Sequence, residues 1–129
     1  MEEHPNVDLM RRGYAAFGAG DMAAVGELFA DDIAWHTTGV GPLSGDYQGK
    51  EAVFGFFGEL LQTGTLRQDI HDIVANDEHA VVLVKGHSER PDGRALDENQ
   101  IHVWHVRDGK AVEFWGYGAD PVASDAFWS

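Results

Sequence analysis

The chain reads as α+β, with helices first and an antiparallel sheet after them. Two observations predict this. Apolar residues recur at three- and four-residue spacing through most of the first half, then alternate with polar residues through the second. Arg90-Pro91-Asp92-Gly93 and Asp108-Gly109 are turn sequences that join neighbouring strands into a meander. Helices collected ahead of one antiparallel sheet pack on one of its faces. A strongly curved sheet wrapped round them leaves an interior pocket, the usual place for a small ligand. The 129 residues suit one domain, 1–129, because a second would be too small to stand alone.

The first helix is expected to be capped by Asn6, with Val7, Met10, Tyr14 and Phe17 along one face. Gly18-Ala19-Gly20 ends it. Asp21 caps a second helix carrying Val25, Leu28 and Phe29, and Asp31-Asp32 breaks it before a short strand, Ile33 to Thr37. The glycine-rich stretch 38–49 reads as a loop. Lys50 to Leu61 forms a third helix with Val53, Phe56, Phe57 and Leu60 inward. Gly55 and Gly58 each cost this helix about 1 kcal/mol relative to Ala, which implies a close neighbour at those positions. Four strands follow: Leu66 to Val74, Ala80 to Glu89, Ala95 to Arg107 and Ala111 to Tyr117. Phe127-Trp128 is left to dock as a pocket lid or across a dimer.

Charge excludes several functions. Nine Lys and Arg against 22 Asp and Glu give −13, and the deficit is spread over both halves. No basic face is available for a phosphate backbone, so nucleic acid is not an expected partner. An anionic membrane surface is disfavoured for the same reason. With no cysteine, disulfides, thiol nucleophiles and thiolate metal sites are excluded. The histidines form no H-x-H or H-E-x-x-H pattern, so no metal is expected. The glycines of 39–45 open no βαβ unit, so a nucleotide loop is not expected either, and the reading is cofactor-free. The acidic, polar N-terminus is unlike a signal peptide and no apolar run is membrane-length, so the expected location is cytoplasmic.

Three segments carry a resemblance. Tyr14-Ala15-Ala16-Phe17-Gly18-Ala19-Gly20-Asp21 leads to Leu28-Phe29-Ala30-Asp31-Asp32-Ile33-Ala34-Trp35-His36. Gly45-Asp46-Tyr47-Gln48-Gly49 precedes the third helix. Val103-Trp104-His105-Val106-Arg107-Asp108-Gly109-Lys110, then Val112-Glu113-Phe114-Trp115, forms the last hairpin. Together they resemble the nuclear-transport-factor-2-like superfamily, and within it the SnoaL-like polyketide cyclases and ketosteroid-isomerase-related proteins. The resemblance implies a cone: three N-terminal helices packed on a bent antiparallel sheet around a buried pocket, with dimerisation through the outer sheet face. It is specific for fold and weak for reaction. By the same resemblance the isomerase base falls at Thr37, its tyrosine donor at Tyr14 and its second donor at His102. The cyclase aspartate falls at Gly116. The scaffold and polar wall match, while both family bases are replaced.

The remaining chemistry lies in histidines, which titrate near neutrality. Strand alternation puts Gln100, His102 and Trp104 on one face and Ile101, Val103 and His105 on the other. His102 is the acid/base candidate, with Tyr14 as its catalytic partner. Gln100, Trp104, His36, Thr37, Trp35, Phe57, His87 and Phe114 are the candidate ligand-binding residues. Alternation turns His36 away if Thr37 faces the pocket, and a bulge would reverse that. The functional expectation is a cyclase, isomerase or lyase acting on an oxygenated apolar or aromatic metabolite. The alternatives are a non-catalytic binding protein of the same fold and a dimeric interaction module. The expected partners are a small-molecule ligand and a second copy of the chain, packed on the face of Ile101, Val103 and His105.

Overall fold

The computed structural model describes residues 3–129. Its elements are α1 (Pro5–Gly18), α2 (Met22–Leu28), β1 (Phe29–Thr37), β2 (Gly45–Gln48), α3 (Lys50–Thr63), β3 (Thr65–Ala75), β4 (His79–Glu89), β5 (Ala95–Arg107), β6 (Lys110–Gly118) and α4 (Pro121–Trp128). The strands form one sheet in the order β2-β1-β6-β5-β4-β3. Register shifts within the β1–β6, β3–β4 and β5–β6 pairings add local twist and bend the ribbon round the helices.

The α+β expectation holds, with one difference in the sheet. β1 runs parallel to β6, while the other neighbours are antiparallel. A chain that enters the sheet early, leaves through α3 and returns by a meander can bring its ends together that way. β1 also starts earlier than expected, at Phe29, with Asp31 and Asp32 as exposed strand residues rather than a break. The 38–49 stretch contains a short strand, β2, paired antiparallel with β1.

Asn6 is not the cap of α1. Pro5 occupies the first helical turn, where its missing N–H is no loss, and the His4 side chain accepts from the Asn6 backbone N–H at 3.1 Å. Asn6 is instead buried, and its amide donates to the carbonyls of Asn76 (2.9 Å) and Asp77 (3.2 Å). That ties α1 to the turn between β3 and β4. The glycines of α3 also differ from expectation. A Cβ at Gly55 or Gly58 would meet nothing within 4 Å, so both lie on the helix's open face.

The core lies between the concave sheet face and the helices. Val53, Phe56 and Phe57 project from α3 at helical spacing against Ile33, Trp35 and Phe29. Leu9 and Met10 of α1 join the same cluster, as do Val82, Val84 and Trp104 of the meander. The last helix was not anticipated from the sequence. Asp120 caps it by accepting from Ala123 N at 3.0 Å, and Pro121 starts it. It crosses the open end of the cone and contacts β5 and β6.

Candidate active site

Alternation on the last two strands and β1 sets three transverse rows on the concave wall. Trp35, Phe114 and Trp104 are register partners in the first row, and Thr37, Gly116 and His102 in the second. Gly118 faces Gln100 in the third. Thr37 and Gly116, where the resemblance places the two family bases, are therefore neighbours, with His102 beside them. A Cβ on Gly116 would come within 3.1 Å of the Phe114 ring, which already fills that space.

These rows form one wall of a cavity of about 190 Å³. Met10, Tyr14 and Phe17 of α1 face it from one side, and Phe56 and Phe57 of α3 from another. Trp35 stacks on Phe114 with ring centroids 3.8 Å apart and meets Trp104 edge-on at 5.5 Å. The wall is thus largely aromatic, and among the described residues no Lys or Arg lines the cavity.

A line of hydrogen bonds crosses this apolar wall. Trp104 Nε1 donates to Tyr14 Oη at 3.1 Å. Tyr14 Oη lies 2.5 Å from His102 Nδ1. His102 Nε2 lies 3.0 Å from Gln100 Oε1, and Gln100 Nε2 donates to Glu98 Oε1 at 3.4 Å. Glu98 Oε2 accepts from the Asp120 backbone N–H at 3.1 Å. His102 and Glu98 are both buried. Burial without a charged partner pushes the His102 imidazole down to about 4, so it is neutral at pH 7. Burial also pushes the Tyr14 hydroxyl well above the usual phenol range, although the Trp104 N–H opposes this. The resting pair is therefore phenol and neutral imidazole. The Trp35 indole N–H is buried and has no partner among the described residues.

The mouth is formed by the segment after β1 and by α4. Asp125 accepts from the backbone N–H groups of Val40 (3.0 Å) and Gly41 (3.1 Å). Gly39 has φ +106°, and a Cβ there would fall 2.5 Å from Asp125 Oδ1. Arg90 holds the far end of α4 by donating to the carbonyls of Phe127 (2.8 Å) and Ser129 (2.7 Å). Trp128 lines the cavity, so the tail docks on its own chain, while Phe127 is buried.

Of the residues singled out from sequence, Tyr14, His102, Gln100, Trp104, Trp35, Thr37, Phe57 and Phe114 all line the cavity. His36 and His87 do not. His36 lies in register with Trp115 on the outer face and stacks on it, with centroids 5.1 Å apart. It is held between Asp46 (2.6 Å) and Glu113 (2.7 Å), and the hydrogen bond the ring donates to Asp46 leads in raising its pKa. No bulge reverses its direction at this position, because Trp35 to Thr37 pair with β6 without a shift. His87 sits on the outer face of β4 between Asp97 (2.6 Å) and Glu89 (3.2 Å), and the Asp97 hydrogen bond is the main cause raising its pKa. Sequence reasoning missed Glu98, Gln68 and the α4 residues Ser124 and Asp125, all at the cavity. The signal for Glu98 was present, because it precedes Gln100 by two on the same alternating face. Among the described residues no three His, Asp or Glu side chains converge to hold a metal ion.

A bent sheet closed by helices round an interior aromatic cavity defines the class: a cone-shaped α+β fold of the nuclear-transport-factor-2-like kind. Within that class the sequence is specific. Residues 10–114 match the SnoaL-like domain, and the chain belongs to that family. It is similar to Bal32a, from a soil-derived mobile gene cassette, at 32% identity and TM-score 0.88 over 97% of each chain. It also shares its fold with an NTF2-like protein of unknown function from Burkholderia pseudomallei, at 23% identity and TM-score 0.90 over 98% of this chain and 99% of the other. A third neighbour is TerC, co-crystallised with polyporic acid, at 20% identity and TM-score 0.87 over 97% and 98% of the two chains.

Proposed function

We propose that the protein is a cofactor-independent enzyme of the isomerase, cyclase or lyase type, acting on a neutral, oxygenated, aromatic or polycarbonyl substrate. The observation that carries this reading is the Tyr14–His102 pair, a neutral phenol on a neutral imidazole in an aromatic cavity. At rest each masks the other. A substrate carbonyl that takes the Tyr14 O–H frees His102 Nδ1 to accept a proton from the adjacent carbon. Tyr14 stabilises the developing enolate oxygen, and the proton returns elsewhere on the substrate. An imidazole held as low as about 4 is a weak base, so the C–H it removes must already be acidic, as one flanked by two carbonyls is.

Charge supports a neutral ligand. Among the described residues the charged groups lining the cavity are the carboxylates Glu98 and Asp125. An anionic substrate would enter against both of them and find no cation inside.

The test is deuterium uptake from D2O at pH 7 into acyclic aryl 1,3-diketones, which stay neutral at that pH, read by mass spectrometry. Wild-type protein should accelerate exchange above the buffer rate. His102→Gln should reduce that acceleration by roughly 100-fold or more, the scale of general acid–base catalysis. Failure of wild-type protein to accelerate exchange overturns the enzyme reading.

One observation favours a second reading, a binding protein. Both His102 ring nitrogens already have protein partners. This reading predicts a saturable rise in melting temperature with the same diketones and no exchange. In either case we propose a homodimer, formed through the outer face that carries Ile101, Val103, Trp115 and Tyr117.

A further inference from the structure

We infer that Glu98 is a positioning residue: its carboxylate decides which nitrogen of His102 carries the proton, and so which way the Tyr14 hydroxyl points. The inference deepens the role proposed for His102 and rests on that reading.

The argument follows donors and acceptors along one chain of groups. At one end Trp104 Nε1 is a donor only, and it is spent on Tyr14 Oη at 3.1 Å. At the other end the Glu98 carboxylate is an acceptor only. Between these ends are two ambiguous groups, the Gln100 amide and the His102 ring. Glu98 Oε2 takes the Asp120 backbone N–H at 3.1 Å, and Oε1 faces Gln100 at 3.4 Å. The opposite amide orientation would set the Gln100 oxygen against a carboxylate oxygen. Gln100 therefore turns its NH2 to Glu98 and its Oε1 to His102 Nε2 at 3.0 Å. That oxygen needs a donor, so the single proton of the neutral ring sits on Nε2. His102 Nδ1 is left as an acceptor, and the Tyr14 O–H, 2.5 Å away, must point at it.

Space is cleared for this arrangement. A Cβ on Gly118 would collide with the Glu98 carboxylate, and one on Gly86 would come within 3.2 Å of Gln100 Nε2. The two glycines let Glu98 and Gln100 lie against the backbone with little freedom to rearrange. Glu98 does not itself remove the substrate proton in this scheme, because a carboxamide stands between it and the ring and is a poor proton conductor.

Glu98→Gln should reverse the chain. The Asp120 N–H still requires an acceptor, so the new carbonyl turns to it and the new NH2 turns to Gln100. Gln100 then flips, donates to His102 Nε2, and moves the ring proton to Nδ1. Tyr14 would accept from both His102 and Trp104, with its own O–H released into the cavity.

The experiment is NMR of protein carrying 13C,15N-histidine, without ligand, at pH 7, where the ring is neutral. In wild-type protein His102 Nδ1 should show the shift of an unprotonated ring nitrogen. In Glu98→Gln the tautomer ratio should move toward Nδ1–H by at least about tenfold, the scale of one hydrogen bond to a charged group. Glu98→Asp keeps an acceptor and should retain the wild-type tautomer. Should Glu98→Gln fail to fold, Gln100→Met cuts the same link and should erase the bias. A wild-type ring protonated on Nδ1 overturns the inference, as does a ratio unchanged in the linking variants. The readout uses no substrate, so absence of turnover would count against the enzyme reading while leaving this result intact.

Discussion

Tyr14 Oη and His102 Nδ1, 2.5 Å apart, join the first helix to the middle of the sheet inside an otherwise apolar wall. Tyr14→Phe removes the hydroxyl and strands two buried groups, His102 Nδ1 and the Trp104 indole N–H. We expect a loss of about 1–3 kcal/mol in urea unfolding, the penalty for leaving buried polar groups unpaired. His102→Phe together with Tyr14→Phe should cost less than the sum of the single changes, because each single change orphans the other partner.

The buried imidazole makes stability depend on acid. His102 is pushed down to about 4 in the folded state against 6.5 when free. Between these values the unfolded chain holds the extra proton, so stability falls as pH drops from about 6.5 toward 4. The full difference is about 3 kcal/mol. Subtracting the pH profile of His102→Gln from that of wild type should isolate this slope; parallel profiles would contradict the burial of the ring.

His36 works in the opposite direction. The hydrogen bond to Asp46 raises its pKa most; burial, the next largest effect, opposes it, and Glu113 adds a smaller rise. The stabilisation it adds is complete below its unfolded value near 6.5 and disappears as pH rises through the raised folded value. NMR titration should place His36 above a free histidine, and Asp46→Asn should lower it. The partly exposed setting makes the effect sensitive to salt.

The open faces of Gly55 and Gly58 give a stabilising change. Both lie in the interior of α3, with nothing within 4 Å of a Cβ at either place. Gly55→Ala and Gly58→Ala should each add roughly 0.5–1 kcal/mol in thermal or urea unfolding, by restricting the unfolded chain. Gly39→Ala should do the reverse, because its φ is +106° and its Cβ would press on Asp125.

Assembly is tested by light scattering. The outer face leaves Ile101 and Tyr117 nearly half exposed, which suits a contact between copies. The molar mass should be about twice that of the chain, as two-fold assembly requires. Ile101→Glu should return it to the monomer value.

The cavity wall was legible because a strand leaves no choice. Once Trp104 faces inward, His102 and Gln100 must follow, and His36 must oppose Trp35. Glu98 obeys the same rule but was passed over, because glutamate near a strand end ordinarily points to solvent. Its burial depends on Gly118 and on the Asp120 N–H, neither of which is near it in sequence. Asn6 was misread for a related reason. Its side chain could cap locally, but the carbonyls of Asn76 and Asp77 reach it only after the sheet has formed. The helix α4 carried its start signal in Asp120-Pro121, yet its eight residues are too few for periodicity to register.

The parallel contact between β1 and β6 has a consequence for the order of folding. β3 to β6 can zip together as successive hairpins, each closing a short loop. β1 has to wait for β6, because more than half of the chain, residues 38–109, lies between them, and such distant contacts form slowly. On a ribosome, the N-terminal helices and first strand would emerge with their apolar faces uncovered until the last strand followed. The row that carries Thr37, Gly116 and His102 is thus assembled last, and a truncation within β6 would leave a meander without its cavity.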